Sequence, residues 1–223
     1  MRKFRKEVIL DFDYTLFDAA KFKLALAAAL RIHGVRRGVF FETYKRAVHR
    51  RSGGYNYSLE RHVSLLHGLI STLSITTALR DLNRVVTNSH RYLYPDTKHF
   101  LRQLKRHGFR TILVTHGNPR FQQRKLEGSS ISSLFDKIVL SNQIKVVTLR
   151  RLAHKFDEVF FVSDHPKELA PVRRQLPQLL PVMKLGGYGD RATAKQLGIP
   201  AFRSLKAIEK YIIKYYQQHN KGV

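Results

Sequence analysis

Two aspartates separated by a single residue stand directly after a short apolar run near the start of the chain. Val8, Ile9 and Leu10 form the run, and Asp11 and Asp13 follow it. Alternate side chains of an extended segment share a face, so both carboxylates are expected to project beyond the end of a strand. Two carboxylates this close repel each other unless a divalent cation or a shared proton relieves them. Mg²⁺ is the natural hard cation for such oxygens, although an isolated pair of aspartates would more simply end a strand.

A hydroxyl and a glycine turn follow a later apolar run. The run 111–114 ends at Thr115, and His116 and Gly117 come next. The backbone amides of such a turn are able to surround an anion, and a threonine hydroxyl is able to bind one of its oxygens. We therefore predict an anion-binding segment here, while a plain turn hydroxyl remains the alternative for Thr115.

Two more acidic residues and a lysine complete the set. Asp164 and Glu168 come after the apolar run 159–162, and Lys145 precedes that run at the start of a predicted helix. Ligands of open α/β sheets gather where the carboxyl ends of parallel strands meet. Lys145 alone is one of 41 lysines and arginines. The order of these residues along successive strand ends nevertheless favours one shared site.

Five short apolar runs predict the strands that position these residues. They alternate with segments of helical spacing, which is typical of βαβ units with a parallel sheet. We therefore predict an α/β fold with a doubly wound, Rossmann-like parallel sheet. The five predicted strands cover residues 8–10, 111–114, 137–140, 159–162 and 180–183.

Residues 19–93 differ from the rest of the chain, because they show helical spacing but no convincing strand. We predict that they form an all-helical domain inserted after the first strand, and that residues 1–18 and 94–223 form the α/β core. The stretch 50–56 is the best predicted loop of the insertion.

With these motifs the chain resembles the haloacid dehalogenase superfamily, specifically its Mg²⁺-dependent phosphatases with a helical cap of the C1 type. The resemblance covers residues 7–18 and about 94–210, whereas the insertion resembles no segment that we recognise. The matching residues are the stretch 8–15 with Asp11, Asp13 and Thr15, then Thr115, Lys145, Asp164 and Glu168. The chain departs from the usual pattern at Tyr14, His116, Val146 and Ser163.

The resemblance implies a role for each acidic residue of the first motif. Asp11 would attack phosphorus and form an aspartyl-phosphate. Asp13 would protonate the leaving alkoxide and then activate the water that hydrolyses the intermediate. Mg²⁺ would be held by Asp11, by the backbone carbonyl of Asp13 and by Asp164. The dehalogenases of the superfamily lack an acid at the place of Asp13, so its presence favours phosphorus chemistry.

The resemblance also implies how the phosphoryl group would be bound. Charge on its oxygens must be neutralised throughout the transfer. The residues assigned to this task are Thr115, His116, Gly117 and Lys145. Glu168 would orient Lys145 or a metal-bound water, and Thr15 would support the site from behind.

The predicted activity is Mg²⁺-dependent hydrolysis of a small phosphorylated metabolite, of the sugar phosphate or nucleotide class. Two alternatives remain open. One is a basic nucleic-acid-binding protein that retains the fold with little turnover. The other is a mutase, which would pass the phosphoryl group to a second hydroxyl.

The charge of the chain bears on the first alternative. Its 41 lysines and arginines exceed its 16 acidic residues, for a formal net charge of +25, and the excess is spread along the whole sequence. An even spread favours general solubility or attraction of anionic substrates over a dedicated nucleic-acid site. A nucleic-acid patch would use the cations Arg36, Arg37, Lys45, Arg46, Arg50 and Arg51 with the rings of Tyr44, Tyr55 and Tyr57.

Composition excludes other classes of function. The chain has no cysteine, which excludes disulfides, thiol catalysis and thiolate metal sites. The first apolar run is too short for an export signal, and no stretch approaches the roughly 20 apolar residues that cross a bilayer. We expect a cytoplasmic protein without membrane contact, and the sequence leaves its oligomeric state open.

Two further groups of residues are given structural interpretations. Residues 186–189, with sequence Gly-Gly-Tyr-Gly, lack the context of a dinucleotide loop and are interpreted as a turn after a strand. Tyr44 and its neighbours Phe40 and Phe41 are interpreted as core residues of the insertion, with substrate contact as the minority interpretation. His165 would flank the site, but a structural role is as well supported.

Overall fold

The computed structural model describes residues 6–48, 56–153 and 159–219. Six strands form one parallel sheet in the order β3-β2-β1-β4-β5-β6. The chain builds outward from β1 in both directions, so the predicted doubly wound α/β fold is confirmed. The strands are β1 (Glu7–Leu10), β2 (Arg110–His116), β3 (Lys137–Ser141), β4 (Val159–Ser163), β5 (Leu179–Lys184) and β6 (Ala201–Phe202).

The apolar runs become strands because they are buried on both faces of the sheet. Val8 and Leu10 belong to the apolar cluster on one face, and Ile9 belongs to the cluster on the other. Parallel strands with helices on both sides are characteristically apolar throughout. The sixth strand has only two residues, too few to produce a signal in the sequence.

Within the described residues, six helices cover the two faces of the sheet. Several begin at a side chain that accepts a hydrogen bond from the first turn, as Asn118 does from Phe121 N and Asp190 from Thr193 N. Pro119 and Pro166 follow their caps directly, where their fixed φ suits the first turn. The helices are α5 (Thr97–Arg106), α6 (Pro119–Ser129), α7 (Lys145–Ala153), α8 (Pro166–Gln175), α9 (Arg191–Leu197) and α10 (Leu205–His219).

The segment between β1 and α5 is helical, and we call residues 19–93 the helical insertion. The described part of it contributes no strand to the sheet. It comprises α1 (Ala19–Arg31), α2 (Arg37–Val48), α3 (Leu59–His67), α4 (Ile75–Thr87) and a 3₁₀ helix (Ser89–Tyr92). The predicted loop 50–56 lies outside the described residues except for Asn56, and so do Arg50, Arg51 and Tyr55 of the predicted basic patch.

The chain enters and leaves the insertion at one point. Asp18 N donates to Tyr92 O at 2.7 Å, and Tyr94 N donates to Leu16 O at 3.1 Å. These hydrogen bonds hold the two connecting segments, residues 16–18 and 92–94, side by side. The insertion is therefore connected to the sheet through a narrow neck.

Helix α6 is the surface on which the insertion rests. Gly128 lies so close to α4 that a methyl group there would collide with the carbonyl oxygens of Val86 and Thr87. Asn118 Nδ2 donates to Asn56 Oδ1 at 2.9 Å, which ties the start of α6 to the insertion. Of the helices that the structure describes, none combines the length and apolarity needed to cross a membrane.

A buried histidine connects α2 and α3 inside the insertion. His62 is fully buried, with Nε2 2.9 Å from Thr43 Oγ1 and Nδ1 2.9 Å from Tyr57 Oη. The Thr43 hydroxyl donates its only hydrogen to backbone carbonyl oxygens, Val39 O at 2.7 Å among them. His62 Nε2 must therefore donate to Thr43, and Nδ1 accepts from Tyr57. This is the pattern of a neutral imidazole.

The neutral state of His62 predicts a pH dependence of stability. Burial lowers the pKa of His62 from 6.5 to about 4. Between these values the unfolded chain binds a proton that the folded chain excludes, so stability is lost as the pH falls from 6.5 toward 4. The difference of pKa corresponds to about 3 kcal/mol.

We expect the free energy of unfolding to decrease more between pH 7 and pH 4.5 in the wild type than in His62→Gln. Urea unfolding of both proteins at the two pH values measures this difference. Glutamine keeps one donor and one acceptor but does not titrate. Parallel pH profiles of the two proteins would contradict the assignment.

Candidate active site

The carboxyl ends of three neighbouring strands place the predicted residues at one edge. Leu10 of β1 is paired with Leu113 of β2 and with Val162 of β4. Asp11 N continues the ladder by donating to Val162 O at 2.9 Å. Asp11 therefore leaves the sheet between the ends of β2 and β4, with the segments 115–117 and 163–164 on either side.

Lys145 joins the acidic residues at this edge. Its Nζ lies 2.7 Å from Asp11 Oδ1 and 2.7 Å from Glu168 Oε2, and its side chain is only 2% exposed. The Ser163 hydroxyl donates to the same Glu168 oxygen at 2.8 Å. Although burial opposes it, attraction to Asp11 and Glu168 raises the pKa of Lys145. Lys145 is therefore a fixed cation between two carboxylates.

The edge holds more negative charge than Lys145 neutralises. Burial, together with the charges of Glu168 and Asp164, raises the pKa of Asp11, and Lys145 opposes this shift. Burial raises the pKa of Asp164 to about 7, against the lowering effect of the Tyr188 amide. A divalent cation between Asp11 and Asp164 would offset this repulsion.

The donor set suits a hydrated Mg²⁺. Among the described residues, no three acidic or histidine side chains form a cluster that would hold a metal without other ligands. Mg²⁺ is commonly held by one or two carboxylates, with waters and substrate phosphate filling the remaining positions. Asp11 and Asp164 are the two carboxylates available here, and the backbone carbonyl of Asp13 is the third predicted ligand.

Asp164 is held from two directions. Its backbone N–H donates to Thr15 Oγ1 at 3.1 Å, and its Oδ2 accepts from Tyr188 N at 2.9 Å. Thr15 is completely buried, so it acts behind the site, where it was predicted. Residues 186–189 do form a turn after β5, but the turn folds over Asp164, which the sequence did not indicate.

Gly187 is required where this turn meets the site. Its φ is +57°, and a Cβ there would clash with Asp164 Oδ2 and lie 2.6 Å from Tyr14 Cβ. Gly198 offers a control, because its φ is +62° but a Cβ there would have no atom within 4 Å.

We expect Gly187→Ala to be the more destabilising of the two substitutions. Both incur about 1 kcal/mol of left-handed backbone strain, but only Gly187→Ala also displaces Asp164 or Tyr14. The additional loss should be roughly 2 kcal/mol in urea unfolding. Equal stability of the two variants would show that the turn does not pack against Asp164 as described.

Asp13 has its own cation, which the sequence did not reveal. Lys125 Nζ lies 2.6 Å from Asp13 Oδ1, and Gln122 Nε2 donates to Asp13 Oδ2 at 3.2 Å. Both partners lie on α6, one helical turn apart, and no feature of the sequence distinguishes Lys125 from the other cations. Burial opposes ionisation of Asp13, but Lys125 and Gln122 prevail and lower its pKa. Asp13 is therefore a carboxylate in this state.

Aromatic rings enclose Lys125. Its side chain is 4% exposed. Burial lowers the pKa of Lys125, and the attraction of Asp13 opposes that shift. The ammonium lies 4.9–5.7 Å from the ring centres of Phe12, Phe17, Phe22 and Phe121. Ring faces attract a cation, so this enclosure stabilises Lys125 despite its burial.

We expect Lys125→Met to destabilise the protein by about 2 kcal/mol, because it leaves the Asp13 carboxylate without its cation. Adding Asp13→Asn should restore part of the loss, since no charge then remains unpaired. Urea unfolding of both single variants and the double variant measures this coupling. Lys210→Met, at an exposed position of α10, is the control. Additive effects of the two substitutions would contradict the ion pair.

The anion-binding segment differs from its prediction in part. Thr115 is buried at the end of β2, two residues beyond the partner of Leu10. The Gly117 N–H, however, already donates to Ser141 O at 2.9 Å, so this amide is not free for an anion. His116 Nε2 lies 3.1 Å from Asn142 O, on the side of β3. A main-chain hydrogen bond thus replaces the open turn expected at Gly117.

A group of rings borders Asp13. Tyr14 follows it directly, and the Tyr188 ring meets the Tyr14 ring edge to face at 5.3 Å. His165 packs against Tyr188 at 4.7 Å and also caps α8 by accepting from Lys167 N. Burial lowers the pKa of His165. We call Tyr14, Tyr44, Tyr188 and His165, together with Lys23, the aromatic rim.

Comparison with known proteins places this geometry in a family. The model of the haloacid dehalogenase-like hydrolases matches residues 6–174. No curated protein matches the sequence.

Several solved structures share the fold. A haloacid dehalogenase-like hydrolase from Burkholderia xenovorans LB400 aligns with a TM-score of 0.70 and 19% identity, covering 93% of this chain and 96% of its own. A predicted phosphoglycolate phosphatase from Haemophilus somnus 129PT aligns with a TM-score of 0.59 and 16% identity, covering 95% and 99%. A hydrolase of the same kind from Bacillus subtilis, bound to magnesium, aligns with a TM-score of 0.60 and 13% identity, covering 94% and 99%.

These identities are low, so the solved structures support the fold alone. The family model, in contrast, spans the sheet edge that carries Asp11, Lys145 and Asp164, as well as most of the chain. The protein belongs to the haloacid dehalogenase-like hydrolase family.

Proposed function

We propose that the protein is a Mg²⁺-dependent phosphomonoester hydrolase that acts through an aspartyl-phosphate on Asp11. The observation that carries the proposal is the position of Lys145, which contacts Asp11 and Glu168 at 2.7 Å each in a buried site. A phosphoryl group next to Asp11 would meet this ammonium. Asp164 and the Asp13 carbonyl complete the set of oxygens that a divalent cation needs.

The nucleophile is held ready for attack. Asp11 Oδ1 accepts from Phe12 N at 2.7 Å and lies at the same distance from Lys145 Nζ. Both contacts fix the orientation of the carboxylate toward the sheet edge. Mg²⁺, held by Asp11, the Asp13 carbonyl and Asp164, would neutralise charge on the phosphoryl oxygens. Thr115 and Lys145 would bind those oxygens from the protein side.

Asp13 carries the proton steps. It protonates the leaving oxygen in the first half of the reaction and removes a proton from water in the second. In the described state it is a carboxylate bound to Lys125, which suits the second task. For the first task Asp13 must gain a proton, which weakens its ion pair with Lys125, 2.6 Å away.

We also infer that residues 19–93 act as the cap domain and residues 1–18 and 94–223 as the core. A contact between the insertion and the residue after Asp13 supports this inference, since Lys23 of α1 donates to Tyr14 Oη at 3.0 Å. Closure of such a cap excludes water from the phosphoryl group before attack. The narrow neck between residues 16–18 and 92–94 provides the connection for that motion.

Replacing the nucleophile tests the proposed function. We expect Asp11→Asn to reduce Mg²⁺-dependent phosphate release from an aryl phosphate by about a thousand-fold or more, because no covalent intermediate can form. Glu127→Gln removes one negative charge from an exposed position of α6 and should retain activity. Thermal unfolding would verify that both variants remain folded.

Unchanged turnover in Asp11→Asn would reject the mechanism. Phosphorus NMR of the products separates hydrolysis from transfer to a second hydroxyl, the mutase alternative. Binding of a polynucleotide at two salt concentrations examines the nucleic-acid alternative, which requires binding that weakens steeply with salt and survives Asp11→Asn.

A further inference from the structure

The position of Asp13 determines where the leaving group lies. If Asp13 protonates the leaving oxygen, the remainder of the substrate must extend past this carboxylate. Lys125 and Gln122 occupy the side of Asp13 that faces α6. Tyr14 follows Asp13 directly in the chain, and its hydroxyl lies 3.0 Å from Lys23 Nζ. The leaving group is therefore expected to meet the aromatic rim.

Lys23 shows that two of these rings border a common space. Its ammonium lies over the Tyr14 ring at 5.2 Å and over the Tyr44 ring at 5.3 Å from their centres. Tyr14 comes from the sheet edge and Tyr44 from the helical insertion. Because Lys23 Nζ also donates to Tyr14 Oη at 3.0 Å, it lies at the hydroxyl end of that ring, and one hydrogen-bond donor thus stands between the Tyr14 hydroxyl and the Tyr44 ring.

Tyr188 extends this surface toward the solvent. It remains 56% exposed although it is a large aromatic residue, and its backbone is fixed by the bond from its N–H to Asp164. The Tyr14 and His165 rings support it at 5.3 Å and 4.7 Å. An exposed ring held this firmly beside a catalytic edge is suited to contact with a ligand.

The backbone of Tyr14 is consistent with a functional role. Its φ is +59°, a left-handed conformation that residues with a Cβ rarely adopt. Strain of this kind persists at functional sites when the surroundings hold it in place. Gly187 packs directly on the Tyr14 side chain and keeps it at the rim.

From this arrangement we propose that the aromatic rim binds a planar ring of the leaving group, and that the substrate is a phosphomonoester of an alcohol that carries a heteroaromatic ring, such as a nucleoside monophosphate. The inference rests on the proposed function. Tyrosine faces stack on a planar ring, and Lys23 donates to a nitrogen or oxygen acceptor on the ring edge. A sugar phosphate or an acyclic phosphate brings no flat face to these rings.

Two matched pairs of substrates test the inference. Adenosine 5′-monophosphate and ribose 5-phosphate have the same scissile bond but differ in the base. Benzyl phosphate and cyclohexylmethyl phosphate have similar size but differ in planarity. We expect kcat/KM to be at least about tenfold higher for adenosine 5′-monophosphate than for ribose 5-phosphate. This factor corresponds to the free energy of one stacked ring. A smaller preference in the benzyl pair would show that ring acceptors contribute as well as planarity.

Substitutions locate the preference in the rim. Tyr188→Leu, at an exposed ring, should bring the ratio of the two kcat/KM values in the nucleotide pair toward one. Tyr215→Leu on α10 is the matched control and should leave the ratio unchanged. Lys23→Met should lower the kcat/KM ratio of adenosine 5′-monophosphate to ribose 5-phosphate more than that of benzyl phosphate to cyclohexylmethyl phosphate.

Binding to the Asp11→Asn variant separates this inference from the proposed function. Calorimetry should show adenosine 5′-monophosphate binding at least about tenfold more tightly than ribose 5-phosphate. If adenosine 5′-monophosphate binds tenfold more tightly but the wild type hydrolyses neither compound, ring binding by the aromatic rim would be supported and the proposed hydrolase activity rejected. Equal kcat/KM values for adenosine 5′-monophosphate and ribose 5-phosphate, or equal affinities for the two, would overturn the proposal that the aromatic rim binds a planar ring. The proposed hydrolase activity would stand, because both compounds would still release phosphate.

Discussion

Two buried carboxylates and a third that is partly exposed share one edge of the sheet, and their repulsion is the constraint around which the site is organised. Asp11, Asp164 and Glu168 come together because β1 and β4 are neighbours and end at the same level. Water cannot screen these charges well, since Asp11 is only 6% and Asp164 only 1% exposed. Lys145 supplies one positive charge between Asp11 and Glu168. The remaining negative charge is what the proposed divalent cation would offset.

The second ion pair gives the two aspartates of the first motif different surroundings. Asp11 is bound to Lys145, while Asp13 is bound to Lys125 on the opposite side, among aromatic rings. Burial and the charges of Glu168 and Asp164 raise the pKa of Asp11 against the effect of Lys145, whereas Lys125 and Gln122 lower the pKa of Asp13 against burial. Two identical side chains two residues apart thus acquire different environments. Separate environments of this kind are what distinct nucleophilic and proton-transfer roles require.

The sequence predicted the sheet edge well and the surroundings of Asp13 poorly. Asp11, Thr115, Lys145 and Asp164 were found because each follows or precedes an apolar run, and strand order converts that position into proximity. Lys125 carries no such signal, since its role depends on the packing of α6 against Phe17 and Phe22. Tyr188 was interpreted as part of a turn, which it is, but only the fold reveals that the turn covers Asp164. Contacts between distant segments that follow no strand end were thus not predictable.

The narrow neck of the helical insertion has a consequence for how such proteins diversify. The chain departs at Asp18 and returns at Tyr92, and two main-chain hydrogen bonds, of 2.7 and 3.1 Å, join the two connecting segments. A short hairpin would bridge the same distance. All six described strands lie outside the segment, so a change in its length would leave the pairing register of the sheet unaltered. Its sequence can therefore diverge independently of the residues at the strand ends, except where it packs on α6.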